Sequence, residues 1–446
     1  MKLWTIAIKS MRQRLLASSL TALSVALGVM LMVAVLVVSG IVNRTFSQSS
    51  VGYDLIIGPK GSPLQLVLSA IYRISPPIEN LPYRYYQQLT KDKRITEAIP
   101  IALGDNTEQG GFPIVGTIPR YFELEYAPGR KFYVRGKAIG GPFDAIIGAR
   151  VARENQWDIG SEFTLVHGGA DSEHVHDEKF QVVGVLKQTG TPNDKSVFVN
   201  LEGFYQIEGH DKPIDEARRR WGEFFGTDAL DEFDREIAPF ARELERERAA
   251  DPSDSHAHHH HHETPDVLKE VTSILVLTRS PEDAIMFSGR LKKGFQAQAV
   301  NPIIPMRQLM RLFVGNVRTM LMVLTALIIV VSGVGIFVSI YNSMADRRHE
   351  IAVMRALGAR RQTVFSIILT ESIVLCTAGG LCGLLLGHGL VFAAAPYIES
   401  QTGLLIDRFS FEPSELVLFP ALAILASLVG FIPGLTAYRT DVADSL

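Results

Sequence analysis

Asp346-Arg347-Arg348-His349-Glu350-Ile351-Ala352-Val353-Met354-Arg355-Ala356-Leu357-Gly358-Ala359-Arg360-Arg361 is the stretch that decides how the chain is laid out. Long apolar runs flank it, 314–344 before and 364–395 after, and five arginines crowd into the link between them. Ile351, Met354 and Leu357 recur at three-residue spacing, with Arg347, Arg348, Glu350 and Arg355 around that stripe. The pattern predicts a short amphipathic helix. Gly358 is placed to end it, because glycine enters the left-handed conformation without a Cβ clash. A short exposed helix between two apolar runs is suited to docking into a groove on a partner. A basic membrane-surface anchor is the plainer reading of the same residues.

Each flanking run exceeds the roughly 20 residues that a helix needs to cross a bilayer. So do 15–42 and 416–438, the latter with Pro420 and Pro433 as kink positions. Four spans explain why 47% hydrophobic residues coexist with 20% charged ones. The first run carries no charge, is longer than a signal-peptide core and is followed by no small-x-small cleavage site, so it reads as a retained helix. Ahead of it, residues 1–14 place Trp4, Ile8 and Met11 at helical spacing with Lys2, Lys9, Arg12 and Arg14 between them, which predicts an interfacial amphipathic helix.

Lysine and arginine concentrate in cytoplasmic loops. The N-terminus, the link 345–363 and the tail 439–446 with Arg439 are basic, whereas 396–415 holds only Arg408. Four spans place all three basic segments in the cytoplasm without conflict. The expected fold class is therefore a membrane α-helical protein with four transmembrane helices. A large extracytoplasmic α/β (α+β) domain, residues 43–313, is inserted between the first and second helices. The expected location is a membrane whose cytoplasmic side carries these three segments. A net charge of −3 gives no global attraction to nucleic acid. Cys376 and Cys382 both lie in an apolar run, so disulfides do not staple the soluble region.

In that region, strands are predicted at 54–57, 112–117, 145–147, 162–166, 180–186, 196–199 and 273–278. Ser62-Pro63 opens an apolar helix over 64–72 by capping logic, and helices follow at 149–156 and 281–294. The 64–72 helix reads as core packing, with substrate or membrane contact as the alternative. Residues 210–264 interrupt the sheet pattern. Leu230, Phe233, Ile237, Phe240 and Leu244 mark an amphipathic helix there, packed on the domain or offered to a partner. A polar linker then leads to His256, His258, His259, His260, His261 and His262, and His174 and His176 lie among acidic residues elsewhere. Imidazole binds zinc, copper and nickel, but a flexible run fixes no geometry. A loop without a role, metal buffering and a tag all remain open.

The link motif, with Glu371 in the following run and Ile432-Pro433-Gly434-Leu435-Thr436-Ala437-Tyr438-Arg439 near the end, resembles the FtsX-like permease signature. Ala352 stands where that family often has glycine, and Val442 where proline often follows. Gly116–Phe122, Pro128–Phe132, Ile147–Ala152 and Phe180–Leu186 resemble the periplasmic core of MacB-type and LolC/LolE-type permeases. The resemblance implies an ABC transporter permease of the mechanotransmission class, working as a homodimer or related heterodimer on a cytoplasmic ABC ATPase dimer. It implies ATPase-coupling contacts at Arg347, Arg348, Glu350, Ile351, Met354, Arg355, Leu357 and Gly358, and a Glu371 that faces the bundle interior.

No Gly-x-x-x-x-Gly-Lys-Ser/Thr loop, HExxH or nucleophile motif occurs, so no catalytic residue is assigned. ATP and magnesium are expected in the partner ATPase, and no cofactor is expected in this chain beyond zinc at the histidines. A periplasmic adaptor and membrane lipids complete the expected partners. The leading function is export or extraction of a substrate from the outer face of the inner membrane. Regulation of a periplasmic cell-wall enzyme and metal-linked efflux or sensing are the alternatives.

Overall fold

The structure, a computed structural model, describes residues 9, 12, 15–45, 52–167, 178–207, 212–250, 264–346, 353–355, 358–402 and 411–439. It divides into two compact units. Met1–Arg44, Met310–Thr402 and Ile406–Leu446 form one, and Thr45–Leu309 with Gly403–Leu405 the other. Of the expected helix 1–14, Lys9 and Arg12 are helical and exposed, and the rest lies outside the described residues. The first long helix is α1 (Leu15–Thr45).

The second unit is built on one mixed sheet. Its strands are β1 (Leu55–Gly58), β2 (Ile95–Thr107), β3 (Pro113–Thr117), β4 (Val134–Gly136), β5 (Asp144–Ile147), β6 (Glu162–Phe163), β7 (Leu165–His167), β8 (Phe180–Leu186), β9 (Val197–Asn200), β10 (Ser273–Thr278) and β11 (Gln298–Val300). The order is β11-β1-β10-β2-β3-β9-β5-β8-β4, with β7 on β2 and β6 on β8. The β3–β9 and β5–β8 pairs are parallel. Antiparallel pairs predominate, so the unit is α+β.

Strand β2 joins two cores. Ile95–Ile101 pair with β10, and from Ala102 onward β2 pairs with β3. Leu55, Ile57, Ile274 and Val276 anchor one core, and Ile114, Ile147, Phe180 and Val197 the other.

Helices cover the sheet. α2 (Pro63–Val67) starts as its sequence dictates, with Ser62 Oγ accepting the Gln65 N–H at 3.3 Å, and runs on as a π-helical turn through Tyr72. Leu66, Val67, Ala70 and Tyr72 are buried, so this helix is core packing. α3 (Tyr83–Thr90) and α4 (Ala149–Asn155) follow. α5 (Ile214–Phe225) and α6 (Leu230–Ala250) form a pair around Trp221, Phe233 and Ile237. This pair packs on the domain: Arg84 of α3 forms an ion pair with Glu232, and Gln296 Nε2 donates to the Phe224 carbonyl. α7 (Pro281–Lys293) is capped by Ser280 Oγ, which accepts the Asp283 N–H at 3.1 Å.

The first unit is a bundle of α1 with α8 (Gly315–Asp346), α9 (Arg361–Thr402) and α10 (Leu418–Arg439). All four contain segments long and apolar enough to cross a membrane. Val25, Val29, Val33 and Val37 form a buried stripe of α1 against Ile336, Ile340, Ile368, Leu375 and Val429. α9 runs to Thr402, beyond the expected end at 395, and passes through Pro396. Proline removes one N–H donor but does not by itself end a helix whose neighbours still pair.

Candidate functional site

Glycine sets how closely the bundle packs. Gly379, Gly383 and Gly387 recur every fourth residue on α9, facing α1. A Cβ on Gly383 would sit 2.5 Å from the Ala26 carbonyl oxygen and 2.7 Å from Val29 Cβ. Gly379 meets Ala22 and Val25 in the same way, and Gly387 meets Val33. Small residues at this spacing let helix backbones approach in a membrane. On the other side, Gly380 packs on Leu422, Gly430 on Ser372 and Gly434 on Phe365, which brings α9 against α10.

The arginine-rich link joins α8 to α9. Residues 353–355 are helical, and Gly358 takes φ +97°. The Gly358 N–H donates to the Arg355 carbonyl and the Ala359 N–H to the Met354 carbonyl, each at 3.0 Å. This is the paired hydrogen-bond pattern of a glycine-terminated helix. Met354 and Arg355 are half-buried and Gly358 is exposed. Arg347, Arg348, Glu350, Ile351 and Leu357 lie outside the described residues.

Beyond the link, the guanidinium of Arg361 sits 5.9 Å from the Tyr438 ring centroid, and Phe365 meets Phe431 edge-on at 6.0 Å. The link motif and the C-terminal motif, 77 residues apart between these two side chains, thus share one end of the bundle.

Glu371 is 8% exposed on α9, next to fully buried Ser372. A second polar site went unread in the sequence. His388 Nε2 lies 2.9 Å from Glu415 Oε2, and Glu415 is fully buried. Glu415 Oε1 also accepts the Glu412 N–H at 2.8 Å, closing a capping box at the start of α10. The Glu-x-x-Glu spacing of 412–415 was the signal available for it.

The α+β unit has its own polar centre. Arg73, in a left-handed conformation after the π turn, donates to Asn193 Oδ1 at 2.9 Å and Ser196 Oγ at 2.8 Å, and its guanidinium stands 5.1 Å over Phe198. Tyr121 Oη donates to Asn193 Oδ1 at 2.8 Å. Burial pushes the Tyr121 phenol up, while neighbouring Arg73 opposes the shift. Burial also raises Asp194, although its carboxylate accepts two N–H groups and the Thr189 hydroxyl. A Cβ on Gly148 would fall 2.3 Å from the Asn193 carbonyl oxygen. The Gly116–Phe122 and Ile147–Ala152 motifs therefore meet at one packed junction. The interactions there are internal and structural.

The histidines at 174, 176, 256 and 258–262 lie outside the described residues. Among the described residues, no three His, Cys, Asp or Glu side chains are grouped to hold a metal ion.

These features comprise a bundle of four helices long and apolar enough to cross a membrane and, as a separate unit, an α+β domain. Residues 322–442 match the FtsX-like permease C-terminal family, residues 18–231 match the MacB-like periplasmic core domain, and the chain belongs to this permease family. It is similar to the macrolide export ATP-binding/permease protein MacB of Chromobacterium violaceum, 29% identical over 130 residues, covering 29% of this chain and 19% of that protein. The Agrobacterium fabrum protein of the same name is 32% identical over 121 residues, covering 26% of this chain and 17% of that protein. The matched part thus spans about a fifth of the length of these curated relatives. Among solved structures, the periplasmic region of MacB from Actinobacillus actinomycetemcomitans aligns over 58% of this chain and 94% of that one, at 10% identity and TM-score 0.31.

Proposed function

We propose that the chain is the permease subunit of an ABC transporter in a bacterial inner membrane. A separate cytoplasmic ATPase pair binds and hydrolyses ATP, and two permease copies carry its motion across the bilayer. The α+β unit, inserted between the first and second spans, lies outside the cytoplasm and moves a substrate there, by export or by extraction from the outer face of the inner membrane. In this reading Arg347, Arg348, Glu350, Ile351, Met354, Arg355, Leu357 and Gly358 contact the ATPase, and Glu371 holds helices together inside the bundle.

The observation that carries this reading is the glycine-ended turn closed by the Gly358 and Ala359 N–H groups, which leads into α9, a helix packed on α10 at Gly380, Gly430 and Gly434. A push on such a turn is delivered to a packed helix pair instead of dissipating in a loop. The test is affinity purification of the full chain from native membranes, with ATPase activity measured in the eluate. Wild type should retain an ATPase, and Arg355→Glu should lose most of that activity. Equal activity from both would overturn the assignment of the link.

A further inference from the structure

We propose that α7 is a self-complementary contact through which the α+β units of two copies of this chain meet. The inference rests on the reading of the chain as a permease that works in pairs, and it names the surface.

The inner face of α7 is occupied. Phe287 is 3% exposed, Ala284 and Leu291 pack beside it, and Arg94 covers its ring at 5.1 Å. The outer face is apolar at its centre, with Ile285 73% exposed and Met286 60% exposed. Gly289 lies one turn beyond Ile285, and a Cβ there would have nothing within 4 Å, so the backbone offers an open notch. Phe295, just after the helix, is also 73% exposed.

Charge divides this face by end. Glu282 and Asp283 lie in the first turn, and Arg290, Lys292 and Lys293 in the last. Glu282 and Lys292 make no ion pair among the described residues, and both are exposed. Positions 282, 285, 289 and 292 follow the three- and four-residue steps that share one helix face.

An antiparallel crossing of two α7 helices level with residue 287, through the face opposite the buried Phe287, matches position 282 with 292 and 285 with 289. Residues equidistant from the crossing then face each other. Glu282 opposes the second copy's Lys292, and Ile285 enters the notch at the second copy's Gly289. Two-fold symmetry repeats both contacts, as an isologous interface requires. A single helix pair buries less than the roughly 1,200 Å² of a free-standing complex. In a membrane-anchored pair, the high effective concentration makes such a contact sufficient. An anionic lipid surface fits less well, because Glu282 and Asp283 lie beside the same apolar centre.

The experiment uses the full chain in membranes, with Cys376→Ala and Cys382→Ala removing native thiols. Met286→Cys lies near the proposed two-fold axis and should give a disulfide-linked dimer on mild oxidation, whereas Glu154→Cys on α4 should not. Glu282→Lys and Lys292→Glu should each lower the Met286→Cys yield several-fold, and the double swap should restore it. No dimer, or no restoration, overturns the contact, and binding of α7 to anionic vesicles instead would do the same. Two differently tagged copies separate the readings. If they co-purify while Met286→Cys stays unlinked, the α7 contact fails and the paired permease stands. If they do not co-purify, both fail.

Discussion

His388 Nε2 on α9 is 2.9 Å from Glu415 Oε2 at the start of α10, and the carboxylate it meets is shielded completely from solvent. Both Glu415 oxygens are engaged, one by the imidazole and one by the Glu412 N–H. Leaving a buried polar atom without its partner costs about 1–3 kcal/mol. His388→Ala should therefore lower the melting temperature of the detergent-solubilised full chain. Glu415→Gln keeps an oxygen for the Glu412 N–H and should lose less. Equal melting temperatures for all three proteins would show that the pair does not hold α9 to α10.

The glycine seam makes a sharper contrast, because two glycines on one helix differ only in what faces them. At Gly383 a methyl group meets the Ala26 carbonyl, whereas at Gly389 it meets nothing within 4 Å. Alanine is favoured over glycine inside a helix by about 1 kcal/mol. Gly389→Ala should therefore be neutral or stabilising. Gly383→Ala should destabilise, since overpacking costs about 1–3 kcal/mol. Thermal unfolding of the two variants in the same detergent decides it, and the prediction fails if they shift in the same direction by the same amount.

The legible parts of the sequence were those with a clean period. The four long helices follow from apolar length alone, and β8 and β10 occupy 180–186 and 273–278, the residues their apolar runs predict. Strand β2, the longest in the sheet, was not legible. Glu97, Pro100, Gly104, Asp105 and Asn106 break its alternation. Its geometry explains them. Pro100 lies just before the strand changes partners between Ile101 and Ala102, and the ladder to β3 shifts register between Leu103 and Asn106. Helix α5 was absorbed into the insertion because arginines fill its exposed face. The Arg73 centre was invisible for another reason. It joins residues 120 positions apart, and only the folded sheet brings Asn193 to the end of the 63–72 helix.

Asp92 supplies a pH test of the α+β unit. Hydrogen bonding to Arg94 pulls its carboxyl down to about 2 from an ordinary 3.8, and Arg94 in turn covers Phe287. A lowered folded-state value means that the ion pair contributes full stability above the unfolded value and loses it as pH falls through the folded one. Asp92→Asn should therefore cost about 1 kcal/mol at neutral pH, after allowance for screening of a partly exposed pair. The gap between wild type and variant should close between pH 3.8 and about 2. Denaturant titrations of the full chain across that range measure it, and a gap that persists at the acid end would count against the pair.

Gly358 gives the most direct test of the proposed coupling, because its backbone is demanding while its surroundings are empty. At φ +97° an L-residue is strained, yet a Cβ would touch nothing within 4 Å. Gly358→Ala therefore disturbs the conformation of the link and leaves helix packing alone. The strain, about 1 kcal/mol, favours rearrangement of the turn closed by the Arg355 and Met354 carbonyls. Asparagine tolerates left-handed geometry better than alanine, so Gly358→Asn should sit between alanine and wild type. If the ATPase reads this turn, the permease-associated ATPase rate should fall several-fold for Gly358→Ala and less for Gly358→Asn, with the melting temperature of the bundle nearly unchanged. A fall in melting temperature matching the fall in rate would assign the effect to stability. Three equal rates would overturn a coupling role for the shape of this turn.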